Sequence, residues 1–182
     1  MAHLLAMNVP VKKDPAWSDW AKMTRTKIKS AGIPVSKWQQ LYFHMTILFL
    51  DDDACAESLT PEFAKLAKAC PALPMTIDKI DAFTTTNGAK HIIYLSSTNV
   101  PEQIFTLAKD ARTVADGLNA DYDKRPFKPH ITFGKVLADK MSLEELQTIL
   151  QSLEQPAFHC VIKEAEHRYR RPNGTIKNWK LR

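Results

Sequence analysis

The sequence predicts an α+β fold made of two similar lobes related by a pseudo-twofold axis. Three observations point there. Strand-like and helix-like periodicities alternate along the whole chain. The same order of elements occurs twice, with landmarks 86 residues apart: Pro15 and Pro101, then His44 and His130. The 182 residues are 45% hydrophobic and 25% charged, the balance of a globular protein with its own core. That composition excludes a disordered tail protein, a collagen-like repeat and a disulfide mini-scaffold. One domain is expected over residues 1–182, with pseudo-repeated halves of about 1–88 and 89–182.

The elements follow in order. His3 to Val9 reads as a short buried strand. Asp14-Pro15 starts a helix, with proline at the first helical position. Trp17, Trp20, Ala21, Thr24, Ile28 and Ala31 then fall on one face, and Gly32 stops it. Phe43 to Leu50 is strand-like. Thr60-Pro61 opens a second helix, with Phe63, Leu66, Ala67 and Cys70 on its apolar stripe. Met75 to Thr86 reads as a strand closed by an Asn87-Gly88 hairpin turn.

The second half repeats this. His91 to Ser97 is a strand, and Pro101 opens a helix whose face holds Ile104, Leu107, Ala108, Ala111, Ala115 and Leu118. His130 to Val136 is a strand. Ser142 and Glu145 form a capping box ahead of Leu143, Leu146, Leu150 and Leu153. Phe158 to Tyr169 reads as one strand, and Asn173-Gly174 turns into a last one through Lys180.

Charge is uneven. Residues 168–182 carry Arg168, Arg170, Arg171, Lys177, Lys180 and Arg182 and no acid, within a chain of net charge +5. With Tyr169 and Trp179 this stretch suits either a phosphate backbone or a charged edge strand that resists aggregation. Cys55, Cys70 and Cys160 are odd in number and lack C-x-x-C spacing, which argues against a disulfide framework and a zinc site. A reducing cytoplasm is the expected setting. The N-terminus lacks the charge and apolar run of a signal peptide, and no apolar stretch suits a membrane span. Asp51-Asp52-Asp53 reads as a solvated loop, because three consecutive acids point in different directions. Nothing in the pattern calls for a protein partner, and a monomer is expected.

The chemistry sits in the two matching strands. One reads His44-Met45-Thr46-Ile47 and the other His130-Ile131-Thr132-Phe133. Strand side chains alternate between faces. His44 and Thr46 therefore share one face, with Met45, Ile47 and Phe49 on the other; His130 and Thr132 oppose Ile131 and Phe133. A single His-x-Thr in a strand carries no information, but two copies at matching places do. An imidazole of ordinary pKa near 6.5 serves as base when neutral and acid when protonated. Phosphodiester hydrolysis needs both services, one on each side of phosphorus. Thr46 and Thr132 suit the non-bridging oxygens. The scheme calls for no metal and no cofactor. His3, His91, His159 and His167 lack the paired pattern and read as ordinary strand or surface residues.

These motifs, with Pro126-Phe127-Lys128-Pro129-His130-Ile131-Thr132-Phe133-Gly134-Lys135-Val136 around the second, resemble the 2H phosphoesterase superfamily. Within it they are most similar to the bacterial RNA 2′,3′-cyclic phosphodiesterases, also called 2′-5′ RNA ligase-like proteins. The resemblance implies antiparallel sheets with outer helices around a central cleft. It implies catalytic His44 and His130, phosphate-binding Thr46 and Thr132, and metal-independent opening of a 2′,3′-cyclic phosphate on RNA or nucleotides to a 2′-phosphate. Some relatives join or split 2′-5′ linkages, and others cut cyclic or 2′-5′ oligonucleotides. Branch members often carry arginine where this chain has Lys135, which keeps the charge and loses the bidentate fork. Strict alternation also aims Lys135 away from His130.

Two residues before each histidine, Tyr42 and Lys128 share its face. Tyr42 is a candidate for stacking on a base and Lys128 for attracting phosphate. Phe127, on the alternate face, reads as core or rim. The alternative to an enzyme is a non-catalytic RNA-binding module that uses the basic tail.

Overall fold

The computed structural model describes residues 3–9, 11, 14–40, 42–50, 56–169 and 174–182. Asp51, Asp52, Asp53, Cys55, Arg170, Arg171 and Asn173 lie outside the described residues. Strands are β1 (His3–Asn8), β2 (Val35–Trp38), β3 (His44–Leu50), β4 (Leu73–Ile77), β5 (Lys79–Thr84), β6 (Lys90–Ser96), β7 (Ile131–Leu137), β8 (Phe158–Ile162), β9 (Glu164–Tyr169) and β10 (Gly174–Lys180). Helices are α1 (Pro15–Ser30), α2 (Ala56–Ala69), α3 (Glu102–Gly117) and α4 (Leu143–Ser152).

The fold is α+β with antiparallel sheets. One sheet of eight strands runs β10-β9-β1-β3-β7-β6-β5, with β2 also on β7; β4 and β8 form a second, two-stranded sheet. Element starts recur at a fixed interval. β1 and β6 begin at 3 and 90, α1 and α3 at 15 and 102, β3 and β7 at 44 and 131, α2 and α4 at 56 and 143. The strands are exchanged between halves. β9 from the second half pairs with β1 of the first, and β5 of the first pairs with β6 of the second. The β4–β8 pair also crosses between halves.

Local chemistry explains most boundaries. The Asp14 carboxylate accepts from Ala16 N–H at 2.9 Å and caps α1. Ser142 accepts from Glu145 N–H at 3.2 Å and caps α4. In the β5–β6 hairpin Gly88 takes φ +69°, which glycine reaches without a Cβ clash, and its N–H donates to the Thr85 carbonyl at 2.9 Å. Trp17 and Trp20 of α1 stack at 5.1 Å and pack their edges on Phe43, Phe133 and Phe158. This anchors α1 beneath β7. Among the described residues no helix is long and apolar enough to cross a membrane.

Three expectations need correction, and one strand stands where the sequence pattern predicts none. The stretch from Met75 is two strands in different sheets, broken at Asp78, whose carboxylate accepts from both Thr98 N–H and Thr98 Oγ1–H at 2.7 Å. The break shows as a phase slip: Met75 and Ile77 are buried, then Ile80 and Ala82. The stretch from Phe158 likewise divides at Lys163 into β8 and β9. Helix α2 begins at Ala56, ahead of Thr60-Pro61, so that Pro61 stands inside it as the sixth residue, past the first turn, where a proline interrupts the backbone hydrogen-bond ladder. Strand β2 has too short a pattern to read alone. It forms because the edge of β7 is available: Trp38 lies opposite Gly134, where any Cβ would come within 3.1 Å of the indole.

The buried histidines form a core network. His3 Nδ1 and His167 Nε2 lie 3.1 Å apart, and the Thr60 hydroxyl is 2.8 Å from His167 Nδ1. Burial, then the neighbouring His3, pushes His167 down to about 4. His91 is also buried, held between Thr84 and the Met141 carbonyl. His159 alone of this set is exposed.

This packing is testable at two positions. Gly134→Ala destabilises the protein by about 1–3 kcal/mol through overpacking against Trp38, seen as a lower urea midpoint. His167 binds its proton less readily folded, at about 4, than unfolded, at 6.5. Its contribution is therefore fully present above pH 6.5 and is lost as pH falls toward 4. His167→Asn flattens that part of the stability–pH curve; an unchanged slope counts against the network.

Candidate active site

The two histidine strands lie side by side and antiparallel. They touch at a single register pair, Met45 with Ile131, the residues that come directly after the two histidines. Continuing that antiparallel sense by one residue sets His44 alongside Thr132 and Thr46 alongside His130. Beyond the pair each strand takes a different neighbour. β2 covers the far part of β7 at residues 134–136, and Tyr122 bridges Leu50 at the end of β3. Met45, Ile47, Ile131 and Phe133 are buried, while His44, Thr46, His130 and Thr132 are all half-exposed. The structure thus brings the four motif residues to one seam on the face away from the core.

A β-bulge ends each motif. Pairing with β1 passes from Thr46 to Leu48 and skips Ile47; pairing with β6 passes from Thr132 to Gly134 and skips Phe133. An extra residue reverses the alternation. Ile47 and Leu48 are consecutively buried, as are Phe133 and Gly134. Strict alternation therefore fails beyond each bulge. Phe49 leaves the face of Met45 and Ile47, and Lys135 returns to the face of His130.

Both imidazoles are pushed toward neutrality. His44 is lowered to about 4, by burial first, then by the Arg168 guanidinium, with a smaller push from His130; the nearby Tyr42 carbonyl pulls the other way. That carbonyl accepts from Gln39 Nε2 at 2.8 Å and makes no well-formed bond to His44 Nδ1, which is buried without a partner among the described residues. His130 is also lowered, mainly by burial and further by Lys128 and Arg125, against the Lys128 carbonyl. His130 Nδ1 donates to that carbonyl at 2.8 Å. A carbonyl only accepts, so the proton is fixed on Nδ1 and Nε2 keeps its lone pair in the neutral ring.

The flanks hold residues that periodicity does not single out. Phe83 and Tyr94 meet the His130 ring edge-on at 5.0 and 5.9 Å. Lys128 Nζ lies 4.9 Å from the Tyr94 ring centre and 5.7 Å from that of Phe83. Tyr94 O–H donates to the Asp81 carboxylate at 3.0 Å; burial and that carboxylate hold the phenol well above its usual range. Tyr42 is 48% exposed, with the Arg168 guanidinium 4.6 Å above its ring. Arg168 belongs to β9, and its neighbour His167 points into the core against Thr60 and Phe63 of α2. Alternation therefore turns Arg168 to the histidine side. Along the chain Arg168 reads as part of a basic tail; its signal is a strand position, one residue from a buried histidine. Of that tail, Lys177 and Lys180 on β10 are exposed.

Two surface hollows open elsewhere. One, of about 370 Å³, is lined by Phe105, Arg112, Tyr122 and Phe127 among others; Phe127 packs edge-on to Phe105 there. The other, of about 500 Å³, lies between Asp78 and Gln155. Neither is lined by His44 or His130. Among the described residues no three His, Cys, Asp or Glu side chains gather to share a metal ion.

The model of the 2′-5′ RNA ligase superfamily matches residues 13–171. The chain belongs to that superfamily. Solved structures of similar fold cover nearly the whole of it. LigT of E. coli in apo form is 17% identical, covering 99% of this chain and 96% of its own, with a TM-score of 0.63. TT0787 of Thermus thermophilus is 14% identical, covering 100% and 98%, at 0.62. Usb1 of Kluyveromyces marxianus is 10% identical, covering 96% and 97%, at 0.64. LigT has been crystallised with phosphate and with 3′-AMP. No curated protein matches in sequence. Superfamily membership supports phosphodiesterase or RNA ligase-like activity on RNA or nucleotide substrates.

A titration of the imidazole Cε1–H signals by NMR tests this electrostatic picture. In the free protein His44 titrates near pH 4 and His130 below 6.5. A His44 that titrates at or above 6.5 contradicts its placement beside Arg168.

Proposed function

We propose that this chain is a metal-independent cyclic phosphodiesterase. It opens a 2′,3′-cyclic phosphate on RNA or a nucleotide to a 2′-phosphate. The observation that carries this reading is the meeting of two His-x-Thr motifs at one antiparallel seam, through Met45 and Ile131. In this reading the strands on either side of the seam form two walls of a cleft, each presenting one histidine to the same phosphorus.

One neutral imidazole takes a proton from water as its oxygen attacks phosphorus. The P–O3′ bond breaks, and the other imidazole, protonated, gives its proton to O3′. The P–O2′ bond remains, so the product is the 2′-phosphate. Thr46 and Thr132 donate hydrogen bonds to the non-bridging oxygens, where charge accumulates. With both rings biased to neutrality in the free protein, the arriving phosphate supplies the negative charge that favours protonating one of them. A ribose 5′-hydroxyl replacing water makes a 2′-5′ linkage by the same proton transfers, which accounts for ligase-like activity on the same site. The phosphate and 3′-AMP complexes of LigT support a phosphorylated nucleotide as ligand.

His44→Ala and His130→Ala are each expected to lower turnover about 10²–10⁴-fold with the fold intact. Activity retained in either variant removes that histidine from the mechanism. Thr46→Val or Thr132→Val costs about 10²-fold, and EDTA has no effect. Both limbs of the kcat/KM profile fall at or below pH 6.5, because both histidines are lowered. The decisive assay is a panel of 2′,3′-cyclic mononucleotides, 2′-5′ dinucleotides and cyclic dinucleotides. Turnover of the first is expected; turnover confined to the others reassigns the substrate, and salt-sensitive RNA binding without turnover leaves a binding module.

A further inference from the structure

Each histidine has a cation seated on an aromatic ring beside it, and the two units occupy corresponding positions with their partners exchanged. The residue two before each histidine supplies one member: Tyr42 before His44, Lys128 before His130. The outer strand supplies the other: Arg168 of β9 and Phe83 of β5, each the fifth residue of its strand. On the His44 side the aromatic precedes the histidine and the cation comes from the strand, 4.6 Å above the ring. On the His130 side the cation precedes the histidine and Phe83 comes from the outer strand, at 5.7 Å, with Tyr94 of β6 nearer still at 4.9 Å. Both flanks thus present a positive charge seated on aromatic rings beside the same seam.

The burial of Arg168 is a separate observation. Arg168 and the neighbouring Glu166 are each 6% exposed. A buried ion pair is a poor source of stability, because desolvating both charges offsets their attraction. Among the described residues the Arg168 guanidinium makes one hydrogen bond, to Glu166 Oε1, and it is long at 3.3 Å. A guanidinium carries five N–H donors. Most of them are therefore not committed to Glu166, in a group held by Tyr42 above and Glu166 beside it, near His44. A buried, oriented guanidinium with donors to spare is suited to an oxyanion, which it meets with two parallel N–H···O bonds.

We infer that Arg168 is a phosphate-binding residue, holding a non-bridging oxygen of the substrate on the His44 flank while Lys128 draws the same phosphate from the His130 flank. This rests on the phosphodiester reading above and extends it to a strand outside both motifs. It also gives the seam a polarity. The grip is directional at Arg168, whose planar fork is fixed, and diffuse at Lys128, a point charge on a flexible stem. Tyr42 and Glu166 act as positioning residues for Arg168.

Calorimetric binding of 2′-AMP to the full chain tests the inference. Removing Arg168 alone leaves the buried Glu166 carboxylate without the guanidinium beside it, so the test variant is Arg168→Met with Glu166→Gln. Its Kd for 2′-AMP is expected to rise about tenfold or more, Arg168→Lys to recover part of the loss, and Glu166→Gln alone, which keeps an oxygen acceptor for the guanidinium, to raise the Kd by less than the double variant does. In the double variant the NMR titration of His44 moves to higher pH, a change that a merely structural arginine far from the ring would not produce. Unchanged 2′-AMP affinity in the double variant overturns the inference, and so does failure of the natural protein to bind 2′-AMP. Binding that depends on Arg168 in a protein that turns over no substrate of the panel upholds the clamp and removes the hydrolytic reading.

Discussion

Met45 and Ile131 are fully buried and face each other across the seam between β3 and β7. Everything at the site depends on that contact. Each residue comes directly after a histidine, so burying the apolar pair brings the two imidazole-bearing positions to one place and turns them away from the core. The seam is short because other segments take over the strand edges: β2 along β7, and Tyr122 at the end of β3. The core beneath it is fixed by Trp20, Phe133 and their neighbours, so the strands cannot slide without disturbing close packing.

The paired bulges add a second constraint. Each falls on the last residue of a motif, and each reverses the faces of the residues beyond it. Without them Lys135 would point into the core, where an ammonium has no solvent. With them the strand buries Gly134 and Val136 and returns Lys135 to the histidine side. The bulge thus lets one strand carry polar groups outward both before and after a pair of buried residues.

Electrostatics at the seam is arranged around cations. Arg168, Lys128 and Arg125 act on the two imidazoles, and burial acts in the same direction. Arg168 is paired with Glu166 and Arg125 with Asp123, and among the described residues no carboxylate pairs with either imidazole. Arg168 and Lys128 also rest on aromatic faces, Tyr42 on one side and Tyr94 with Phe83 on the other, whose quadrupoles offset part of the cost of holding them. An incoming phosphate meets charge already in place.

The sequence by itself determined the local elements and the motif. Helix caps at Asp14 and Ser142, the hairpin at Gly88, and the twofold recurrence of His-x-Thr all arise from short-range chemistry. Strand breaks at Asp78 and Lys163 are present as phase slips but need two sheets to interpret them. Only the tertiary structure decided the strand exchange that places β9 beside β1, because pairing between distant segments leaves no mark on the periodicity of either. That exchange carries Arg168 from a basic-looking tail to the side of His44. The bulges are equally tertiary, since a bulge exists only against a partner strand. The residue types were legible along the chain; that Arg168 and Lys135 lie on the histidine side of the sheet was not.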